Sequence, residues 1–163
     1  RCSTRSTDFM TPKSAVSRAF RDAVLDLAGE FPFARPFVNS GRLSSAVSFP
    51  LSILNTSDEK QEWGGIPPGS PAIDAPTRAG WLLNYLGDRF VLLTNGWKGK
   101  GPQGVRRVDI AEIDDAGRIA ARYDLKPHST YLIRPDQYVA ARWRNPTEAS
   151  VRDAVLRAKG GML

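Results

Sequence analysis

The chain of 163 residues has one cysteine, Cys2, and one histidine, His128. A single cysteine excludes an intrachain disulfide, a CxxC redox pair and a cysteine-based zinc site. A single histidine excludes a histidine cluster and argues against a Ser-His-Asp triad. No apolar run approaches the roughly 20 residues that would span a bilayer, so no membrane partner is expected. Nothing apolar follows Arg1-Cys2-Ser3-Thr4-Arg5 to make it a secretory signal, and the initiator Met is missing, as expected of a fragment. A lone terminal cysteine suits a cytoplasmic compartment. Charge of one sign is not concentrated either. The net charge of +6 would favour an acidic partner, but the basic residues are scattered and interleaved with acids, and Arg106-Arg107 sits beside Asp109 and Glu112. A solvated surface is expected, not a phosphate-tracking stripe, and no nucleic-acid partner.

What is present begins with an amphipathic helix. Thr11 reads as an N-cap with Pro12 at the first helical position. Val16, Phe20, Ala23, Val24 and Leu27 then recur at three- and four-residue steps, up to a stop near Gly29 and the prolines of Phe31-Pro32-Phe33-Ala34-Arg35-Pro36. From Asn39 to Pro76 the chain is rich in Ser, Gly and Pro. It reads as loop, with Trp63 and Trp81 as aromatic plugs pinning it to a core.

Beyond Trp81 the signals become compact. Trp81–Leu86 before Gly87 reads as a short helix and Arg89–Thr94 as a buried strand. Val105–Ile113 alternates as a second strand, and Ala116–Leu125 is helical with Ile119 and Tyr123 inward. Thr130–Arg134 and Tyr138–Trp143 are strand-like runs joined by the turn chemistry of Pro135-Asp136-Gln137, a β-hairpin. Asn145-Pro146-Thr147-Glu148 reads as an Asn cap, Pro at the first position and Glu at the third, opening a last helix through Val151, Ala154, Val155 and Ala158. This order specifies an α/β fold: a thioredoxin-like mixed sheet with flanking helices, preceded by an N-terminal helical arm and a long Pro/Gly loop. The expected division is residues 1–40 as linker and arm, 41–80 as loop-rich segment and 81–163 as the thioredoxin-like unit, with 41–163 forming one domain.

Two stretches carry a family likeness. Pro68-Gly69-Ser70-Pro71-Ala72-Ile73-Asp74-Ala75-Pro76 with Trp81-Leu82-Leu83 and Phe90-Val91-Leu92-Leu93 is one. Leu132-Ile133-Arg134-Pro135-Asp136-Gln137-Tyr138-Val139-Ala140-Ala141-Arg142-Trp143 is the other and the more specific. Together they resemble the C-terminal, thioredoxin-like domain of group A flavoprotein monooxygenases, the FAD-dependent aromatic hydroxylases of the phenol hydroxylase, 3-(3-hydroxyphenyl)propionate hydroxylase and polyketide hydroxylase type. Phe9–Pro12 through Asn39–Ser44 looks like the segment that joins such a domain to the flavin body, so the likeness covers nearly the whole chain.

The resemblance implies a parent enzyme using FAD and NAD(P)H, with this segment as a structural and interaction domain that supports the FAD- and substrate-binding body or a homodimer. No cofactor is assigned to the segment itself. A GxGxxG turn after a strand is missing, and Gly96-Trp97-Lys98-Gly99-Lys100-Gly101 lacks the Gly-Lys-Ser/Thr of a phosphate loop. The loop after Leu93, where thioredoxin carries its cysteines, has none, and the position of thioredoxin's cis-proline is Ser129. No catalytic, cofactor-binding or metal-ligating residue is therefore assigned. A stand-alone thioredoxin-like oxidoreductase, or a binding module, is the alternative.

Among individual residues, Arg134 and Asp136 are expected to pair across the turn, His128 to be a loop residue and Asp74 to anchor the Pro/Gly loop. Arg142 and Trp143 are expected to stack on each other's neighbours or to face a partner, and Tyr85, Trp97 and Tyr138 are candidate interface aromatics. The main candidate interface is Val16, Phe20, Val24, Leu27, Phe31, Phe33 and Phe37, more apolar area than a free arm leaves in water.

Overall fold

The computed structural model describes residues 9–34, 47–58 and 63–161. The chain divides into two compact units, Arg1–Ala46 and Val47–Leu163. In the first, helix α1 (Ala15–Glu30) is capped by Ser14, whose hydroxyl accepts the Ser17 N–H at 3.1 Å. The expected Thr11–Pro12 start is thus three residues too early. Ser and Thr both make good caps, and Ser14 is the one whose hydroxyl reaches an unsatisfied N–H. The helix stops where Phe31 turns extended ahead of Pro32, because a pre-proline residue disfavours the α region. A single 3-10 turn, Pro32–Ala34, follows.

In the second unit the described residues 47–58 and 63–75 are irregular chain. A small hairpin of β1 (Pro76–Thr77) and β2 (Gly80–Trp81) then leads into a 3-10 turn at Leu82–Tyr85. Its main sheet contains β3 (Val91–Thr94), β4 (Arg106–Asp109), β5 (Thr130–Ile133) and β6 (Val139–Trp143) in the order β4-β3-β5-β6. β4 runs parallel to β3, while β5 is antiparallel to both β3 and β6. With α2 (Ile110–Ile113), α3 (Arg118–Tyr123) and α4 (Glu148–Ala158), the result is an α/β unit with a mixed four-stranded sheet and flanking helices, consistent with a thioredoxin-like sheet.

The inner strands are buried on both faces, which is why they read as unbroken apolar runs. Leu132 and Ile133 are fully buried and point to opposite faces. Ile133 joins Val91, Leu93, Tyr131, Ile119 and Tyr123, whereas Leu132 joins Leu92, Trp143 and the α4 residues Val151, Ala154 and Val155. Leu132 pairs with Ala141 but Ile133 with Val139, so Ala140 is an extra residue, a bulge. Ala140 and Ala141 consequently both lie on the α4 side.

Several boundaries differ from expectation. The second strand ends at Asp109, not Ile113. The Asp109 carboxylate accepts the Ala111 N–H at 3.1 Å and caps α2, so Ile110 and Ile113 are buried at helical spacing, which alternation alone imitates. The stretch expected as a helix after Trp81 is the 3-10 turn, and Trp81, expected to be a plug, is 53% exposed. The last helix is capped by Thr147, not Asn145, through a 3.1 Å bond from the Ser150 N–H. Glu148 then lies in the first turn, and its carboxylate accepts the Lys100 N–H at 2.6 Å. Among the described residues no helix is long and apolar enough to cross a membrane.

Candidate functional site

Three places could carry function: the loop after β3, the anchor of the Pro/Gly segment, and the apolar surface left open. The first is where a thioredoxin-like sheet would present its thiols. Here the Asp109 carboxylate accepts from Thr94 Oγ1 at 3.3 Å and from the Gly96 N–H at 3.1 Å. Asn95 donates its side-chain N–H to Leu125 O at 2.8 Å and its backbone N–H to Ser129 O at 2.9 Å, and accepts the His128 N–H at 2.7 Å. Trp97, a candidate interface aromatic by sequence, is buried instead and donates Nε1–H to Pro146 O at 2.8 Å. These bonds hold the loop against the start of β5, and nothing in the set supplies a nucleophile. His128 is an exposed loop residue at φ +66°. Among the described residues no group of three His, Cys, Asp or Glu side chains is arranged to hold a metal.

The second place is a stack that fastens Asp58 and residues 63–73 to the sheet. Arg142 on β6 is buried and grips Asp58 with two bonds of 2.8 and 2.6 Å, while a third N–H reaches Gly64 O at 2.9 Å. Arg144 lies 3.6 Å over the Trp63 ring, and the Arg142 guanidinium is 4.9 Å from the same centroid. Arg144 also donates to the Asp124 carbonyl at 2.6 Å and pairs with the Asp124 carboxylate. Trp63 meets Tyr131 edge to face, as Tyr131 meets Tyr123. The Tyr131 hydroxyl donates to Tyr123 O and accepts the Ile66 N–H, and the Tyr123 hydroxyl donates to Ile73 O at 2.7 Å. Gly65 is required at this junction. At φ +68° a Cβ would come within 2.6 Å of the Tyr123 carbonyl.

Burial pushes the Tyr123 and Tyr131 phenols above their ordinary values. The Arg144 bond, partly opposed by burial, holds the Asp124 carboxyl below its own. For Arg142, burial works against the charge, and the bonds to Asp58 and Tyr131 outweigh it, so its value is raised. Every member of this cluster is satisfied by another or by backbone except Trp63 Nε1, which is buried without a partner among the described residues. The arrangement positions chain.

The other singled-out residues mostly have local duties. Arg134 pairs with Asp136, and Asp74 accepts the Ala75 and Leu83 N–H groups at 2.9 and 3.1 Å. Tyr138 donates to Val47 O at 2.9 Å with its ring against Phe49, and Tyr85 packs on the core half-buried. Trp143 does not share a face with Arg142: it is buried against α4.

The third place is the open surface. None of the α1 side chains is buried, and Val16, Phe20 and Leu27 are 80%, 65% and 42% exposed, with Val24 half-buried. Phe31 and Phe33, exposed too, lie 5.9 Å apart, and Phe37 falls outside the described residues. Sequence reasoning missed a second strip in the other unit. Val47, Phe49, Leu51 and Ile53 alternate with small or polar residues and are all exposed, beside a cleft of about 520 Å³ lined by residues 50–53 and 55–58, Pro67, Pro68 and Arg157. The period-two pattern is present in the sequence, within a Ser- and Pro-rich segment.

No family model and no curated protein matches this sequence. Solved structures do. The substrate-free form of the rebeccamycin biosynthetic enzyme RebC superposes with a TM-score of 0.56 over 94% of this chain and 30% of RebC, at 21% identity. RebC with reduced flavin gives 0.50 over 96% of this chain and 32% of that one, also at 21% identity. The chain has a fold that RebC contains. It spans less than a third of that enzyme's length. A ternary complex of aklavinone-11 hydroxylase with FAD and aklavinone matches more loosely, at 19% identity and a TM-score of 0.46 over 65% of this chain and 24% of its own.

Proposed function

We propose that this chain is the structural and interaction domain of an FAD-dependent aromatic-ring monooxygenase, inactive in redox chemistry by itself. The observation that carries this reading is the RebC superposition, which takes in nearly all of this chain and under a third of that flavoenzyme. The Leu132–Trp143 run, on which the resemblance to the hydroxylase family rests, supports it from the sequence side. In this reading FAD and NAD(P)H belong to the parent's catalytic body, which this domain supports, alone or within a homodimer. The exposed strip at Val47–Ile53 and the α1 stripe supply surface for such contacts, and the loop after β3 is a locked connection where a redox relative would have its centre.

The test uses the 163-residue chain and the protein encoded by its whole reading frame. The isolated chain is expected to leave FAD fluorescence unchanged and to show no insulin reduction, with Cys2→Ser indistinguishable from wild type. The whole protein is expected to carry bound flavin and to oxidise NAD(P)H in the presence of a phenolic substrate. Saturable, micromolar FAD binding by the isolated chain, or a whole protein without flavin, would contradict the reading.

A further inference from the structure

Helix α1 combines two features. Its apolar stripe is exposed, and its charges oppose its dipole. Lys13, Arg18 and Arg21 all precede Asp22, Asp26 and Glu30 along it, with no acid in the first turn and no base in the last. A helix is positive at its N-terminus and negative at its C-terminus, so each end carries the destabilising sign. A second helix running the opposite way would reverse that, setting acids and a negative helix end beside the bases.

The stripe itself fits such a neighbour. Val16, Phe20, Ala23, Leu27 and Glu30 follow one another at alternating steps of four and three, the spacing of a coiled-coil seam, and Lys13 stands three residues before Val16, just ahead of the helix. This series is self-complementary about its midpoint. Laid antiparallel on a copy of itself, Val16 meets Leu27, the large Phe20 meets the small Ala23, and Lys13 meets Glu30 at both ends. Laid parallel, each residue meets itself, so Phe20 opposes Phe20 and like charges face at both ends. Pairing that works only about a twofold axis is the signature of an isologous interface.

The geometry points to α1 as an antiparallel homodimerisation helix whose partner is α1 of a second copy of this chain. The inference rests on the interaction role proposed above and names its partner. It does not depend on whether the parent carries flavin, so the FAD titration and the experiment below fail separately. With only four apolar layers the association is weak, as expected of so short a seam.

Two variants of the 163-residue chain decide it. One replaces Lys13, Arg18 and Arg21 with Glu; the other replaces Asp22, Asp26 and Glu30 with Lys. In sedimentation velocity across a concentration series, the wild type is expected to dimerise and each variant alone to associate at least tenfold more weakly. An equimolar mixture of the two is expected to recover the dimer, and increasing salt to weaken it. Register is read independently in a Cys2→Ser background: Phe20→Cys mixed with Ala23→Cys is expected to form a mixed disulfide, and Phe20→Cys with Leu27→Cys is not. A wild type that stays monomeric throughout would overturn the proposal, as it would if α1 were covered by its own domain or by the parent's catalytic body. A dimer whose charge variants do not rescue one another, or that cross-links Phe20→Cys to Leu27→Cys instead, would overturn it too.

Discussion

Helices α1 and α4 begin alike and end up in opposite circumstances. Each starts at a hydroxyl cap bonded to the N–H three residues on, at 3.1 Å in both, and each carries an apolar stripe. α4 buries Val151, Ala154, Val155 and Ala158 against the sheet; α1 buries nothing. Their charges differ in the same sense. α4 has Glu148 in its first turn and Arg157 in its last, the arrangement that suits a helix's own dipole, and α1 has neither. Periodicity says that a helix has a face to cover. It does not say what covers it, and the order of charges along the axis carries that further information.

Ways to break the comparison start with the strongest contacts. Ile133→Ala, in the core of the Val47–Leu163 unit, is expected to lower stability by about 2–5 kcal/mol in urea melts. Phe20→Ala on α1, measured in dilute protein, is expected to change the same midpoint by under about 0.5 kcal/mol. Equal losses would mean that α1 belongs to the same core. Next comes the anchor of the Pro/Gly segment. Arg142→Ala is expected to cost about 1–3 kcal/mol, below the full penalty of breaking a buried pair because Asp58 keeps some contact with water. A double-mutant cycle with Asp58→Ala should show strong coupling; additive losses would remove the pair from the account.

The two caps sharpen the contrast at smaller magnitude. Thr147→Ala is expected to cost about 1 kcal/mol of global stability, whereas Ser14→Ala should reduce helical circular dichroism and leave the urea midpoint in place. The smallest effect is on pH dependence. The folded Asp124 value lies below the unfolded one, so its contribution is present above the unfolded value and fades as pH falls through the folded one. Asp124→Asn should therefore narrow its stability gap to wild type as the pH is lowered below the ordinary aspartate value of about 3.9. A gap that widens on acidification would show the assigned direction to be wrong.

Much of the fold was legible because the signals were local and mutually consistent. The hairpin reads from two apolar runs around Pro135-Asp136-Gln137, and it closes with the Arg134 N–H on Tyr138 O at 2.8 Å. The misplaced caps at Thr11 and Asn145 are choices among neighbouring residues that can all cap; only the backbone path decides between them. Ile110 and Ile113 satisfied an alternating pattern and a helical one at once. The anchor was illegible for another reason. Arg142 and Asp58 are 84 positions apart, and no local signal marks Trp63 rather than Trp81 as the ring that the arginines cover. For the exchanged fates of Trp81 and Trp97, exposed and buried, the deciding partner of Trp97 is the carbonyl of Pro146, again distant in sequence. On the open surface, the stripe of α1 was visible from its spacing, while the Val47–Ile53 strip was masked by its Ser- and Pro-rich setting.

Amide hydrogen exchange on the 163-residue chain, followed helix by helix in dilute solution and again at high concentration, tests the contrast between the two helices most directly. The account expects α4 amides to be protected to the level of global unfolding at both concentrations, and α1 amides to exchange fast when dilute and to gain protection as copies associate. Protection of α1 equal to that of α4 in dilute solution, unchanged by concentration, would contradict it.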